Sequence, residues 1–149
     1  MRFGVVLALA VICLLGAAAP EKAATPDADV HALQGEWVLR GGEAEGEVLT
    51  EDQLQGGKLI IEGDRYTVTL PELGVVSGIE TLDATQQPKT IDITDTTGPH
   101  VGQVCLGVYE LAGDEFRVVF ASPGGQRPTK FETKPASGQW MHVWTRVAK

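Results

Sequence analysis

Leu33-Gln34-Gly35-Glu36-Trp37-Val38-Leu39-Arg40 carries a Gly-x-Trp pair that opens directly into a strand-like run. The far end of the chain holds a matching run, Gln139-Trp140-Met141-His142-Val143-Trp144-Thr145-Arg146-Val147. Between the two lie short alternating stretches punctuated by turns. The first and last segments are expected to be neighbours that seal one small β-barrel, with Trp37 plugging an end.

The interior supports that expectation strand by strand. Lys58 to Glu62 and Arg65 to Leu70 flank Gly63-Asp64, and the second run alternates Tyr66, Val68 and Leu70 against Thr67 and Thr69. Period-two patterning around a two-residue Gly-containing turn predicts a hairpin. Val75 to Leu82 and Thr90 to Thr94 follow, the latter with Ile91 and Ile93 on one face. A second hairpin joins Val104 to Leu111 with Glu115 to Ala121 around Ala112-Gly113-Asp114. With Glu36 to Arg40 and Gln139 to Val147, the prediction is all-β: about eight antiparallel strands in an up-and-down arrangement, a number that closes a sheet on a narrow interior and removes its edges. A two-sheet sandwich competes, because strand counts and turns look alike in both. Helix is confined to one turn, predicted from the capping box Thr50-Glu51-Asp52-Gln53 and ending at Gly56-Gly57. Gly41 to Glu47 is expected to be a polar, mobile loop, and Ser122 to Gly138 a long connection rich in Pro and Gly.

At 149 residues the chain has room for one domain. A net charge of −8 argues against nucleic acid or an anionic membrane as partner, since both call for clustered Lys and Arg. Arg2, the apolar run Val5 to Leu15 and the small residues Gly16 to Ala19 have the form of a secretory signal peptide. The run falls short of the ~20 residues that span a bilayer, so export and removal are expected, with no membrane insertion afterwards. Residues 1–18 are assigned to this leader, 19–32 to a flexible tether and 33–149 to the barrel domain. Loss of Cys13 with the leader leaves Cys105 unable to form an intrachain disulfide, and Val104-Cys105-Leu106 reads as a buried apolar run.

From Leu33 onward the chain resembles the lipocalin-like domain family of secreted planctomycete proteins. The resemblance rests on Leu33-Gln34-Gly35-Glu36-Trp37, Pro88-Lys89-Thr90-Ile91-Asp92, Leu106 to Leu111 with Gly113-Asp114, and Arg127 to Phe131 with Lys134-Pro135 and Ser137-Gly138. Lipocalins more widely share the Gly-x-Trp opening and a basic residue late in the last strand that covers the Trp ring. The resemblance therefore implies that Gly35, Trp37 and Arg146 form a structural closure, and it implies a lipocalin-like barrel. A guanidinium over an indole contributes ~0.5–2 kcal/mol, depending on how dry the site is.

Catalytic chemistry finds little footing. His31, His100 and His142 lack metal-ligand spacing, Asp92 and Asp95 match no EF-hand loop, and no serine sits in a Gly-x-Ser-x-Gly elbow. A non-enzymatic protein without metal or cofactor is expected. Alternation puts Trp140, His142 and Trp144 on one face of the last strand. Turned inward, they would line the lumen beside Tyr66 and Tyr109 as a candidate site for a small apolar or amphipathic ligand. Two other outcomes stay open: large rings that fill the lumen completely, or an outward Trp patch facing a protein partner. The expectation is an exported ligand-binding barrel, periplasmic or extracellular. The alternative is a protein-binding module of the cell envelope, such as a protease inhibitor that uses the tether as an extended tail.

Overall fold

The computed structural model describes residues 26–148. In chain order these form α1 (Pro26–Leu33), β1 (Gly35–Ala44), β2 (Glu47–Val48), α2 (Glu51–Leu54), β3 (Lys58–Glu62), β4 (Arg65–Leu70), β5 (Gly74–Asp83), β6 (Lys89–Asp95), β7 (Val104–Ala112), β8 (Glu115–Phe120) and β9 (Trp140–Arg146). The leader assigned to residues 1–18 lies outside the described residues. Among those described, no helix is long and apolar enough to cross a membrane.

Every pairing is antiparallel. The ladder runs β1-β3-β4-β5-β6-β7-β8-β9, and β9 returns to β1 from Trp37↔Arg146 through Ala44↔Trp140. Eight strands thus close a ring, and the sandwich alternative falls away. β2 stands outside the ring, paired only with the end of β1. Alternation along the strands sorts the side chains: Trp37, Leu59, Ile61, Tyr66, Ile91, Phe116, Val118 and Trp144 meet inside as one core. Both hairpins have the expected register, Glu62↔Arg65 and Ala112↔Glu115. The capping box before α2 is complete: Gln53 N–H donates to Thr50 Oγ1 at 3.4 Å, and Thr50 N–H donates to Gln53 Oε1 at 2.9 Å.

Two segments depart from expectation. Gly41 to Glu47 is not a loop throughout, because β1 continues to Ala44 after an irregularity between Leu39 and Gly41. At Gly42 an added Cβ would lie 2.3 Å from the Met141 carbonyl oxygen, so only a glycine lets the two strands approach there. The tether assigned to residues 19–32 is helical from Pro26 onward. The docking of α1 on the barrel explains this: Leu33 is fully buried, and Asp29 accepts hydrogen bonds from Lys89 Nζ and Tyr109 Oη, both at 2.7 Å. Short helices draw most of their stability from such tertiary packing, which local composition does not display.

The long connection after β8 forms a second, outer layer. Phe131 packs on Val108, Val119 and Met141, the residues of β7–β9 that face away from the lumen. Arg117 lies over the Phe131 ring at 5.3 Å. Arg127 reaches across two strands, donating to Asp92 Oδ1 at 2.6 Å and to the Gly107 carbonyl at 2.8 Å.

Candidate functional site

The two ends of the barrel differ. At one, Trp37 is fully buried beneath Arg146, whose guanidinium carbon sits 4.1 Å from the indole centroid. Trp37 Nε1 donates to the Leu33 carbonyl at 2.9 Å. Arg146 donates from Nη1 to the Gln34 carbonyl at 2.9 Å and from Nη2 to the Ala32 carbonyl. These carbonyls belong to the end of α1 and the residue just past it, where helices leave acceptors unsatisfied and favour a cation. Gly35 holds φ at +113°, which side-chain-bearing residues rarely adopt, and so turns the chain from α1 into β1. The predicted closure by Gly35, Trp37 and Arg146 is present, and α1 is clamped to it.

Above this plug the lumen holds a cavity of about 130 Å³. Its walls are mostly apolar, and it runs toward the end formed by the β4–β5 turn and the β6–β7 loop, where Leu70, Leu73 and His100 line it. Trp140, His142 and Trp144 all face inward and line it, as does Tyr66. Large rings therefore fill much of the lumen without eliminating the space. Tyr109 does not line it. That ring lies at the plugged end, 6.2 Å from Phe116 and bonded through its hydroxyl to Asp29, so its placement in the candidate site is corrected. Tyr66 and Tyr109 share the inward-facing side of their strands but sit at different depths, and alternation reports the face and not the depth.

Several cavity-lining polar groups escaped the sequence reading. Glu80 lies on the inward face of β5 in the series Val76, Gly78, Glu80 and is 9 % exposed. Among the described residues no side chain or backbone group hydrogen-bonds its carboxyl. Burial, with the Asp64 charge adding to it, pushes that carboxyl up to about 7. Period-two marking of Val75 to Leu82 would have revealed an acid on an otherwise apolar face. Asp95, at the end of β6, accepts a hydrogen bond from the Tyr66 hydroxyl. Burial and that bond drive the Tyr66 phenol well above its ordinary value. Cys105 is buried as expected and also borders the cavity, and burial raises its thiol pKa, so it is held as the neutral thiol.

His142 packs edge-on against Trp144, ring centroids 5.4 Å apart at 82°. His142 is half-buried and lines the cavity. Burial there pushes the imidazole down to about 4, so it is neutral near pH 7. Its ring nitrogens then offer one donor and one acceptor.

Gly78 makes room for Tyr66: a Cβ there would come within 2.2 Å of the phenol oxygen. The fold and this lumen define a small closed β-barrel, plugged at one end and hollow toward the other. No protein-family model matches the chain, and neither the curated proteins nor the solved structures give a match.

Proposed function

We propose that this protein is an exported, non-enzymatic barrel of lipocalin-like kinship that binds a small, mostly apolar molecule in its lumen. The observation that carries the proposal is the cavity of about 130 Å³ walled by Trp140, Trp144, Phe116 and Phe120. Its volume limits the ligand. An apolar cavity of ~150 Å³ accepts a benzene ring, whereas drug-sized pockets begin near ~300 Å³. A single ring or a short alkyl chain fits, and a long-chain lipid or a tetrapyrrole does not. The protease-inhibitor alternative draws less support, because Pro26 to Asp29 of the supposed extended tail belong to α1 and Asp29 is bonded to the barrel.

Titration with toluene, followed by tryptophan emission, tests the proposal. Saturable quenching is expected, and it should vanish in Val118→Phe, which fills the lumen with a larger side chain at a lining position. Absence of saturation with toluene and comparably small apolar probes, in protein with native circular dichroism, would refute it.

A further inference from the structure

Glu80 and Asp95 line the cavity together with His100 and His142, and among the described residues no Lys or Arg lines it. Asp95 is engaged by the Tyr66 hydroxyl, whereas Glu80, 9 % exposed as a residue, has no side-chain hydrogen bond among the described residues, and its carboxyl oxygens keep some open surface where it lines the cavity. The cations nearest the plugged end are committed elsewhere: Lys89 to Asp29 at 2.7 Å, and Arg146 to the carbonyls closing α1. A carboxyl on a mostly buried side chain that still meets the cavity is a group that a ligand donor can complete. Phe116, Phe120, Trp140 and Trp144 line the cavity, and the face of such a ring attracts a cation and repels an anion.

We propose that the cavity selects a small organic cation, a protonated alkyl- or arylalkylamine about the size of a substituted benzene ring, with Glu80 receiving the ammonium and the aromatic wall receiving the hydrocarbon. The proposal rests on the ligand-binding reading above and adds the chemical class. The ammonium gives up water on entry, a penalty that an apolar wall does not offset and that a facing carboxylate offsets only when the pair is well aligned and hydrogen-bonded. Of the two cavity carboxylates, Glu80 is the one that accepts no side-chain hydrogen bond from the described residues. Fatty acids and other carboxylates are excluded by the same charge that recruits the amine.

Benzylamine, toluene and benzoate, nearly equal in size and differing in charge, provide the test by isothermal titration at pH 8. Benzylamine is expected to bind at least about tenfold more tightly than toluene, with benzoate undetectable, and Glu80→Gln should erase the preference for benzylamine over toluene. Toluene equal to or tighter than benzylamine, benzoate binding, or a benzylamine preference that survives Glu80→Gln would overturn the inference while leaving the apolar cavity intact. Failure of all three to bind would sink both readings together.

If Glu80→Gln does not fold, the wild-type pH profile decides. Benzylamine affinity should fall at least about tenfold between pH 8 and pH 5 as Glu80 takes up its proton, with toluene affinity flat; a flat benzylamine profile overturns the inference. The other titratable groups around Glu80 and the cavity are Asp64, Tyr66, Asp95, Cys105, Tyr109 and His142, with His100 lining the cavity from the β6–β7 loop. The same profile in His100→Gln isolates the part that Glu80 carries.

Discussion

Arg146 joins three elements through one guanidinium: it covers Trp37 of β1, satisfies two carbonyls at the end of α1, and lies 3.4 Å from the Asp114 carboxylate in the β7–β8 turn. Arg146→Ala should lower the unfolding free energy by about 2–4 kcal/mol in urea denaturation, the sum of a desolvated cation–π contact and charge-assisted hydrogen bonds. Arg146→Lys should recover less than half, since an ammonium cannot present the planar fork. The residues of this closure were expected from the resemblance to lipocalins, which share a Gly-x-Trp opening and a late basic residue. Glu80 was legible only as one member of the Val76, Gly78, Glu80 series, and a single acid in a strand usually faces water. Its titration has a definite sign. A carboxyl raised from about 4.5 to about 7 in the fold binds its proton more tightly folded than unfolded, so the fold loses stability as pH rises through that window. His142, lowered from 6.5 to about 4, acts in the opposite sense: its contribution is complete above pH 6.5 and is lost as pH falls toward 4. The two nearly cancel between pH 4.5 and 6.5. Glu80→Gln should therefore raise the melting temperature at pH 8, by an amount equivalent to about 1–3 kcal/mol, and its stability should fall steeply below pH 6.5, where wild type stays level.

At the scale of elements, the two hairpins and the α2 capping box were legible because each signal is local: alternation, a two-residue turn, a hydroxyl three residues before a Gln. What was not legible depended on contacts distant in sequence. Helix α1 contains Pro26 and shows little amphipathic pattern, yet it is held by Leu33 in the core and by Asp29 beneath Lys89 and Tyr109. Leu33→Ala should cost about 2–5 kcal/mol, as buried Leu truncations do. Hydrogen exchange should show the α1 amides losing protection before those of β7 and β8. Likewise Gly41-Gly42 has the composition of a loop and becomes strand because β9 pairs with it. Gly42→Ala should cost about 1–3 kcal/mol, since its new methyl meets the Met141 backbone and Leu49. Wild-type-like stability in that variant would mean that β1 and β9 do not approach as closely as the geometry requires.

For the whole molecule, closure of the ring is what turns a list of strands into a site. Sequence alone placed Trp140, His142 and Trp144 on one side of β9 but left inside and outside open, because only pairing on both flanks of β9 fixes which side faces the lumen. Tyr109 went astray for a related reason: whether it reached the hollow or the plug depended on where α1 and Asp29 settled. A hollow ring whose aromatic wall can be occupied is the central claim, and NOE contacts from protonated toluene to the protein test it most directly. Cross-peaks are predicted to the indole protons of Trp140 and Trp144 and not to Trp37, which the plug holds away from the cavity. Cross-peaks confined to Trp37 or to outward residues such as Val75, or none at saturating toluene, would contradict the account.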